Sequence, residues 1–118
     1  MIKFIFFIII VFTLSCKQKN CFDLKTNFSS YNDALKTITN TTFSIEESLD
    51  TTKSSWVKEV KYFSCNKKNG FLVFRTSSKS YIYDRVPIGI WMEFKKANSI
   101  GKFYNKRLKS NYQLILNN

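Results

Sequence analysis

Three cysteines, Cys16, Cys21 and Cys65, are the side chains of this sequence best suited to covalent chemistry. A thiolate can accept a lipid, form a disulfide or bind zinc. The sequence has no histidine, which removes the usual companion ligand of a zinc site and the commonest general base. The pattern favours lipid attachment or a disulfide, and we expect neither a metal nor a cofactor.

Cys16 directly follows a segment typical of an export signal. A basic start leads into an apolar run over residues 4–14, and Ser15 is a small residue just before the cysteine. As a helix this run covers roughly 17 Å, well short of the ~30 Å hydrocarbon core of a bilayer. A short apolar run that ends in a small residue is typical of a cleaved signal peptide. We therefore predict a signal peptide over residues 1–15.

The four residues Thr13-Leu14-Ser15-Cys16 resemble the lipobox of bacterial lipoproteins, although Thr13 stands where leucine is usual. The resemblance implies that Cys16 carries diacylglycerol and palmitate-type acyl chains and becomes the mature N-terminus. Two or three such chains, at ~0.8 kcal/mol per buried CH₂, anchor a small protein durably. The implied location is the bacterial cell envelope, on a membrane and facing the periplasm. An ordinary secretory signal or an uncleaved anchor helix is the alternative.

Cys21 and Cys65 remain once Cys16 is lipidated, and an even number of thiols in an oxidising compartment can pair. We keep two interpretations. In one, they form a disulfide that strengthens a small domain. In the other, both thiols are free and Cys21 lies in a mobile tether.

Catalysis has little support in this sequence. The acidic residues are scattered, and no pair has a spacing that indicates acid/base chemistry. The sequence also lacks a nucleophile elbow, a glycine-rich phosphate loop and a zinc-protease motif. We expect a binding protein rather than an enzyme.

The net charge of +11 on 118 residues indicates anionic partners. Positive charge is concentrated near the C-terminus, where no acid follows Glu93. On a helix, three lysines would form a stripe opposite an apolar face, and a nearby arginine adds to it: Lys102, Lys106, Lys109 and Arg107. This stripe can bind nucleic acid, lipid headgroups or lipopolysaccharide, or it can simply be a solvated helix face.

Hydrophobic periodicity predicts an α+β domain. Ser29 or Ser30 can cap a short N-terminal helix, and an extended segment follows near Phe43. Three strands of an antiparallel meander are predicted over residues 56–65, 71–75 and 80–85, with Asn69-Gly70 supplying positive φ in the first hairpin. Two helices should follow, one over residues 88–98 and one capped by Ser99. The expected fold is a three- to four-stranded antiparallel sheet packed by two C-terminal helices.

The last predicted strand places Tyr81, Tyr83 and Arg85 on one face if its period of two is regular. Exposed, these side chains would form a stacking platform for nucleic-acid bases. Covered by the helices, the two tyrosines would be core residues.

Residues from about 54 to 112 resemble the KTSC domain, a family of roughly sixty residues found at the C-terminus of some lysyl-tRNA synthetases and also alone. The match begins with Ser54-Ser55 and Tyr62, and Ser110 departs from it where glycine is common. Its other features are Tyr81-Ile82-Tyr83, Val86-Pro87, Ala97-x-Ser99-x-Gly101, Tyr104-Asn105, Leu108-Lys109 and Tyr112. The family has no established biochemical function, and its link to a tRNA synthetase implies RNA binding as one candidate.

These observations divide the chain into four parts: a signal peptide over residues 1–15, a lipidated tether over 16–28, an N-terminal helix and extended segment over 29–53, and a KTSC-like domain over 54–114. We predict a non-enzymatic, membrane-anchored envelope lipoprotein. Its partners are the bilayer, through Cys16, and an anionic envelope component or protein. A nucleic-acid-binding module is the alternative.

Overall fold

A computed structural model describes residues 19–24 and 27–116 of the chain. The predicted signal peptide and Cys16 lie outside the described residues. The elements follow the order β1 (Lys19–Asn20), a 3₁₀ turn (Cys21–Asp23), α1 (Tyr31–Thr39), β2 (Thr41–Thr42), β3 (Ile45–Ser48), β4 (Val57–Ser64), β5 (Asn69–Thr76), β6 (Ser80–Pro87), α2 (Ile88–Lys96) and α3 (Ile100–Phe103), which continues as a π-helical turn (Tyr104–Leu108).

Strands β3 to β6 form one antiparallel sheet in the order β3-β4-β5-β6. This confirms the predicted α+β class, and β3 is the fourth strand. A separate parallel pair joins β1 to β2, with Lys19 opposite Thr41 and Asn20 opposite Thr42. No helix among residues 19–24 and 27–116 is long and apolar enough to cross a membrane.

The hairpin between β4 and β5 turns differently from the prediction. Positive φ falls on Lys67, at 62°, and no described glycine adopts it. The Asn66 side chain accepts hydrogen bonds from the amides of Lys68 (2.8 Å) and Asn69 (3.0 Å), which stabilises the turn locally. Gly70 lies in β5, where a Cβ atom would be 2.1 Å from the carbonyl oxygen of Phe63. Its role is therefore close packing of two strands.

The predicted period of two along β6 breaks at Arg85. Arg85 has a φ of 56°, and the pairing of β6 with β5 shifts between Gly70 and Leu72. Such a bulge places an extra residue in one strand. Val86, rather than Arg85, consequently joins Tyr83 in the core on the helix-covered face.

The two C-terminal helices cover one face of the sheet. Ile90, Trp91 and Phe94 of α2 pack on β4, β5 and β6 with Tyr104 and Leu108 from the final helix. Helix α2 ends at Lys96 rather than at Asn98, and Ala97 is extended. The reason is that Ser99 caps α3 by accepting the amide of Lys102 (3.3 Å), and an N-cap requires non-helical backbone.

The opposite face of the sheet is covered by residues that precede β3, together with Leu114 of the C-terminal segment. Ser30 caps α1 by accepting the amide of Asp33 (3.0 Å), which confirms one of the two predicted caps. Ala34 and Ile38 of α1 then pack with Cys21 and Phe28 in a second buried cluster, against four sheet residues: Phe63, Phe71, Val73 and Ile82.

Cys21 forms a disulfide with Cys65, so these two thiols are not free. Cys21 and Phe28 are both buried, at 8% and 1% exposure. The tether predicted over residues 16–28 is therefore wrong for its described C-terminal part, which belongs to the folded domain. The sequence did not predict these two core positions, because Cys21 and Phe28 have mostly polar neighbours and show no apolar periodicity.

Candidate binding cleft

A cleft of about 460 Å³ opens between α1, the segment just before β4, β6 and the final helix. Aromatic side chains from all four parts line it: Tyr31, Trp56, Tyr81, Tyr83 and Tyr104. Polar groups at its edge are Thr76, Asn105, Lys109 and Gln113. An apolar hollow with a few polar groups is the usual composition of a small-molecule site.

Tyr104 forms the base of the cleft. Its ring stacks on Phe74 with centroids 4.0 Å apart and planes 13° from parallel. Its hydroxyl lies 2.5 Å from that of Tyr83. Burial, followed by this hydrogen bond to Tyr104, strongly raises the pKa of Tyr83. Tyr83 is therefore a neutral phenol at physiological pH. It holds Tyr104 in place, and the floor of the cleft carries no charge at these two residues.

Trp56 forms one wall of the cleft and remains 40% exposed. Its ring contacts Phe74 at 5.7 Å and Tyr104 at 6.2 Å between centroids. Gly101 allows this placement, since a Cβ atom there would lie 3.0 Å from Cζ2 of Trp56. The indole is thus held between the sheet and the final helix.

A second, more polar hollow of about 370 Å³ lies on the other side of Trp56. Two stretches that resemble the KTSC pattern meet there, Ser54-Ser55 and Ala97-x-Ser99-x-Gly101. Asp50 also lines it, and hydrogen bonds from the amide and hydroxyl of Thr52 lower the pKa of Asp50. This carboxylate is therefore ionised at neutral pH and unsuited to act as a general acid.

The final helix presents the predicted lysine stripe. Lys102, Lys106 and Lys109 are exposed, and Lys109 also lines the cleft. None of the three forms an ion pair within the part of the chain that the structure describes. The π-turn ends with the amide of Lys109 donating to the carbonyl of Tyr104, at 2.9 Å. Such turns often occur at functional sites.

Arg107 does not belong to the free stripe. Its guanidinium pairs with Glu93 at 3.1 Å and lies 5.9 Å from the centroid of Phe103. The arginine thus joins the final helix to α2. Of the four predicted polyanion-binding residues, the structure leaves the three lysines available.

The stacking platform predicted on β6 is not formed. Tyr83 is only 4% exposed, and the bulge removes Arg85 from its face. Tyr81 is half-buried at the edge of the cleft, where the Lys79 ammonium lies 5.8 Å from its ring centroid. Tyr83 is therefore a core residue packed under the helices, which was the alternative to the stacking platform.

The remaining motif residues have mainly structural positions. Pro87 ends β6 and precedes the first residue of α2. Tyr112 has a φ of 59°, and its carbonyl accepts the amide of Asp84 at 2.8 Å, so the C-terminal segment returns to β6. Asn105, by contrast, lines the cleft.

Sequence reasoning missed Tyr31, Trp56 and Gln113 as lining residues. They come from α1, the segment just before β4 and the C-terminal segment, and no spacing in the sequence predicts that these parts meet. In the described ranges, no group of three His, Cys, Asp or Glu side chains could hold a metal ion.

Comparison with known families gives a match to the KTSC domain over residues 53–112. This range contains β4 to β6, both C-terminal helices and most of the lining of the cleft. Comparisons with curated proteins and with solved structures find no match. Since the matched range covers more than half of the sequence, the chain belongs to the KTSC domain family.

Proposed function

We propose that this chain is a non-enzymatic lipoprotein of the bacterial cell envelope, lipidated at Cys16, whose KTSC domain binds an anionic ligand in the aromatic cleft. The observation that carries the proposal is Lys109, an ammonium without an ion-pair partner among the described residues, at the edge of an aromatic hollow. Lys102 and Lys106 continue this positive charge along the same helix.

The lining of the cleft favours an acidic sugar. Partly exposed aromatic rings such as Tyr31 and Trp56 offer flat apolar surfaces to the ring of a sugar. Asn105 and Gln113 can donate to and accept from hydroxyl groups. Lys109 can pair with a phosphate or carboxylate on the sugar. The phosphorylated core of lipopolysaccharide has this chemistry and occurs in the proposed compartment.

The lipid anchor is supported by the sequence. The apolar run over residues 4–14 and the Ser15-Cys16 pair have the order and spacing of a lipoprotein signal. The Cys21–Cys65 disulfide is consistent with export, because disulfides persist mainly in oxidising compartments.

Ligand binding is tested with the lipidated protein in phosphatidylcholine nanodiscs. Trp56 is the natural reporter, since it lines the cleft whereas Trp91 is fully buried. We expect the phosphorylated core oligosaccharide to change Trp56 fluorescence saturably, with an affinity that falls steeply as salt rises. Replacing Lys102, Lys106 and Lys109 by glutamate should abolish binding, and the same replacement of Lys36, Lys53 and Lys58 should weaken it less than threefold.

Two results would contradict this ligand class. If the two triple variants bind the oligosaccharide equally well, the lysine stripe is a solvated helix face and not a binding surface. Saturable binding of single-stranded RNA without any response to the oligosaccharide would favour the nucleic-acid alternative.

Lipidation is tested separately by intact-mass measurement on the membrane fraction. We expect a mature chain that begins at Cys16 and carries acyl mass, and we expect Cys16→Ser to abolish anchoring. A soluble chain that begins elsewhere, or a chain that retains residues 1–15 without acyl mass, would overturn the anchor.

A further inference from the structure

Phe22 is an exposed aromatic residue in a firmly held part of the fold. The residue is 75% exposed, the highest value among the exposed large hydrophobic residues that the structure describes. It follows Cys21 in the 3₁₀ turn Cys21–Asp23. A large apolar side chain held in water is costly unless a partner or a membrane covers it.

Three interactions fix the position of this turn. Cys21 is bonded to Cys65, and Lys19–Asn20 pairs with Thr41–Thr42. The hydroxyl of Ser44 donates to the carbonyl of Cys65 at 2.9 Å. Phe22 is therefore presented by a cross-linked corner of the domain.

Along the sequence, this corner is also the part of the described fold that follows Cys16 most closely. Two residues separate Cys16 from the β1 residue Lys19, so the two positions are three steps apart along the chain. Three such steps span at most about 11 Å. A lipid on Cys16 would consequently hold the corner against the headgroup region.

The hairpin beside the corner carries two exposed lysines. Lys67 and Lys68 are exposed in the hairpin that follows Cys65, and neither forms an ion pair within the described ranges. In the sequence, Lys17 and Lys19 lie between Cys16, the proposed site of the lipid, and Cys21. The nearby acids are Asp23, Glu46 and Asp84. A Glu46 oxygen accepts the amide of Phe43 at 3.3 Å, and Asp84 lines the same hollow as Phe22. Lys67 and Lys68 therefore remain available to lipid phosphates.

We propose that Phe22, Lys67 and Lys68 form a docking surface for the lipid bilayer, with the ring inserted at the interface and the ammonium groups on lipid phosphates. The proposal rests on the lipidation of Cys16 proposed above. Aromatic side chains favour the membrane interface, and lysines near an anionic surface strengthen binding to it.

Docking at this corner sets the orientation of the cleft. Strand β5 runs from Asn69, beside the corner, to Thr76, which lines the cleft. Its eight residues span about 23 Å at roughly 3.3 Å per step. The membrane contact and the cleft therefore lie at opposite ends of the sheet, and docking leaves the cleft open to ligands away from the lipid.

The test places a tryptophan at each end of β5 in the full-length lipidated protein. Phe22→Trp reports on the corner, and Ser78→Trp, in the exposed turn between β5 and β6, is the matched control. Each variant is reconstituted in phosphatidylethanolamine/phosphatidylglycerol vesicles with and without brominated acyl chains. We expect bromine quenching of Phe22→Trp to exceed that of the wild type at least twofold, and Ser78→Trp to match the wild type. Adding Lys67→Glu and Lys68→Glu should reduce the excess quenching, whereas Lys79→Glu should not.

Flotation of the vesicles separates the two proposals. Protein that floats but shows equal quenching at both positions overturns the docking surface and leaves the lipid anchor intact. Protein that fails to float overturns the anchor and, with it, the docking that depends on it.

Discussion

The hydroxyl groups of Tyr83 and Tyr104 lie 2.5 Å apart beneath the cleft. This contact joins β6 to the final helix, and both rings are almost fully buried, at 4% and 6% exposure. One hydrogen bond thus connects the strand that carries the Tyr81-Ile82-Tyr83 pattern to the helix that carries the lysine stripe.

We predict that Tyr83→Phe and Tyr104→Phe are strongly non-additive. Each single change leaves a buried hydroxyl without its partner, which costs about 1–3 kcal/mol. The double variant removes both groups, so its loss of unfolding free energy should be smaller than the sum of the two. Urea denaturation of the four proteins measures the coupling. Additive losses would mean that the two hydroxyls do not depend on each other.

Replacing Gly70 or Gly89 by alanine should change the stability of the fold in opposite directions. Gly70→Ala places a Cβ atom 2.1 Å from the carbonyl oxygen of Phe63, and moving this backbone atom requires β4 and β5 to separate. We expect a loss of several kcal/mol. Gly89→Ala meets no atom within 4 Å and lies in α2, where alanine gains up to about 1 kcal/mol over glycine. Thermal melting of the two variants tests both directions, and a stabilised Gly70→Ala would contradict the close approach of β4 and β5.

Local chemistry in the sequence was enough to predict much of the fold. The apolar periodicity, the caps at Ser30 and Ser99 and the helix start after Pro87 each depend on neighbouring residues, and the structure confirms them. The bulge at Arg85 could not be predicted in this way, because it arises from the pairing of β6 with β5.

The second core and the cleft could not be predicted for a related reason. Cys21 and Phe28 lie in polar surroundings in the sequence and become core residues only when α1 covers the sheet. The cleft combines Tyr31, Trp56 and Tyr104, whose proximity depends on tertiary packing. The lysine stripe could be predicted because it is periodic within one helix. The pairing of Arg107 with Glu93 could not, because Glu93 lies on another helix.

Acid should weaken the link between β3 and α2. Hydrogen bonds from Trp91 (2.7 Å) and then from Lys95 (3.1 Å) lower the pKa of Glu47 below its usual 4.5. A carboxylate with a lowered folded pKa stabilises the fold above its unfolded pKa, and this contribution is lost as pH falls through the folded pKa. The Glu47 side chain is 43% exposed, so we expect a contribution below about 1 kcal/mol.

Urea titrations at pH 7 and pH 3 measure this contribution in the wild type, Glu47→Gln and Lys95→Met. Glu47→Gln should remove part of the pH dependence, because its amide oxygen still accepts from Trp91 but no longer titrates. Lys95→Met should remove less, since the hydrogen bond from Trp91 is the larger cause of the lowered pKa. A wild-type pH dependence in Glu47→Gln would contradict the assignment.

The disulfide should determine how firmly the N-terminal layer is held. Cys21 and Cys65 are 44 residues apart in the sequence, and closing a loop of this length stabilises a fold by about 4 kcal/mol in the chain-entropy account. We expect Cys21→Ser/Cys65→Ser, and the reduced wild type, to lose stability of this order. The loss should be concentrated in the cluster around Phe28 and Ile38, because the helix-covered face has its own core.

Hydrogen exchange resolves the two faces. Amides of α1 should exchange much faster in the cysteine-free variant, whereas those of β5 and α2 should remain protected, since local openings differ in free energy across a structure. Single replacement of Cys21 or Cys65 should match the double variant once the remaining thiol is blocked. Uniformly faster exchange in all three elements would show instead that the two layers unfold as one unit, and an unchanged pattern would show that the bond adds little to the packing of α1.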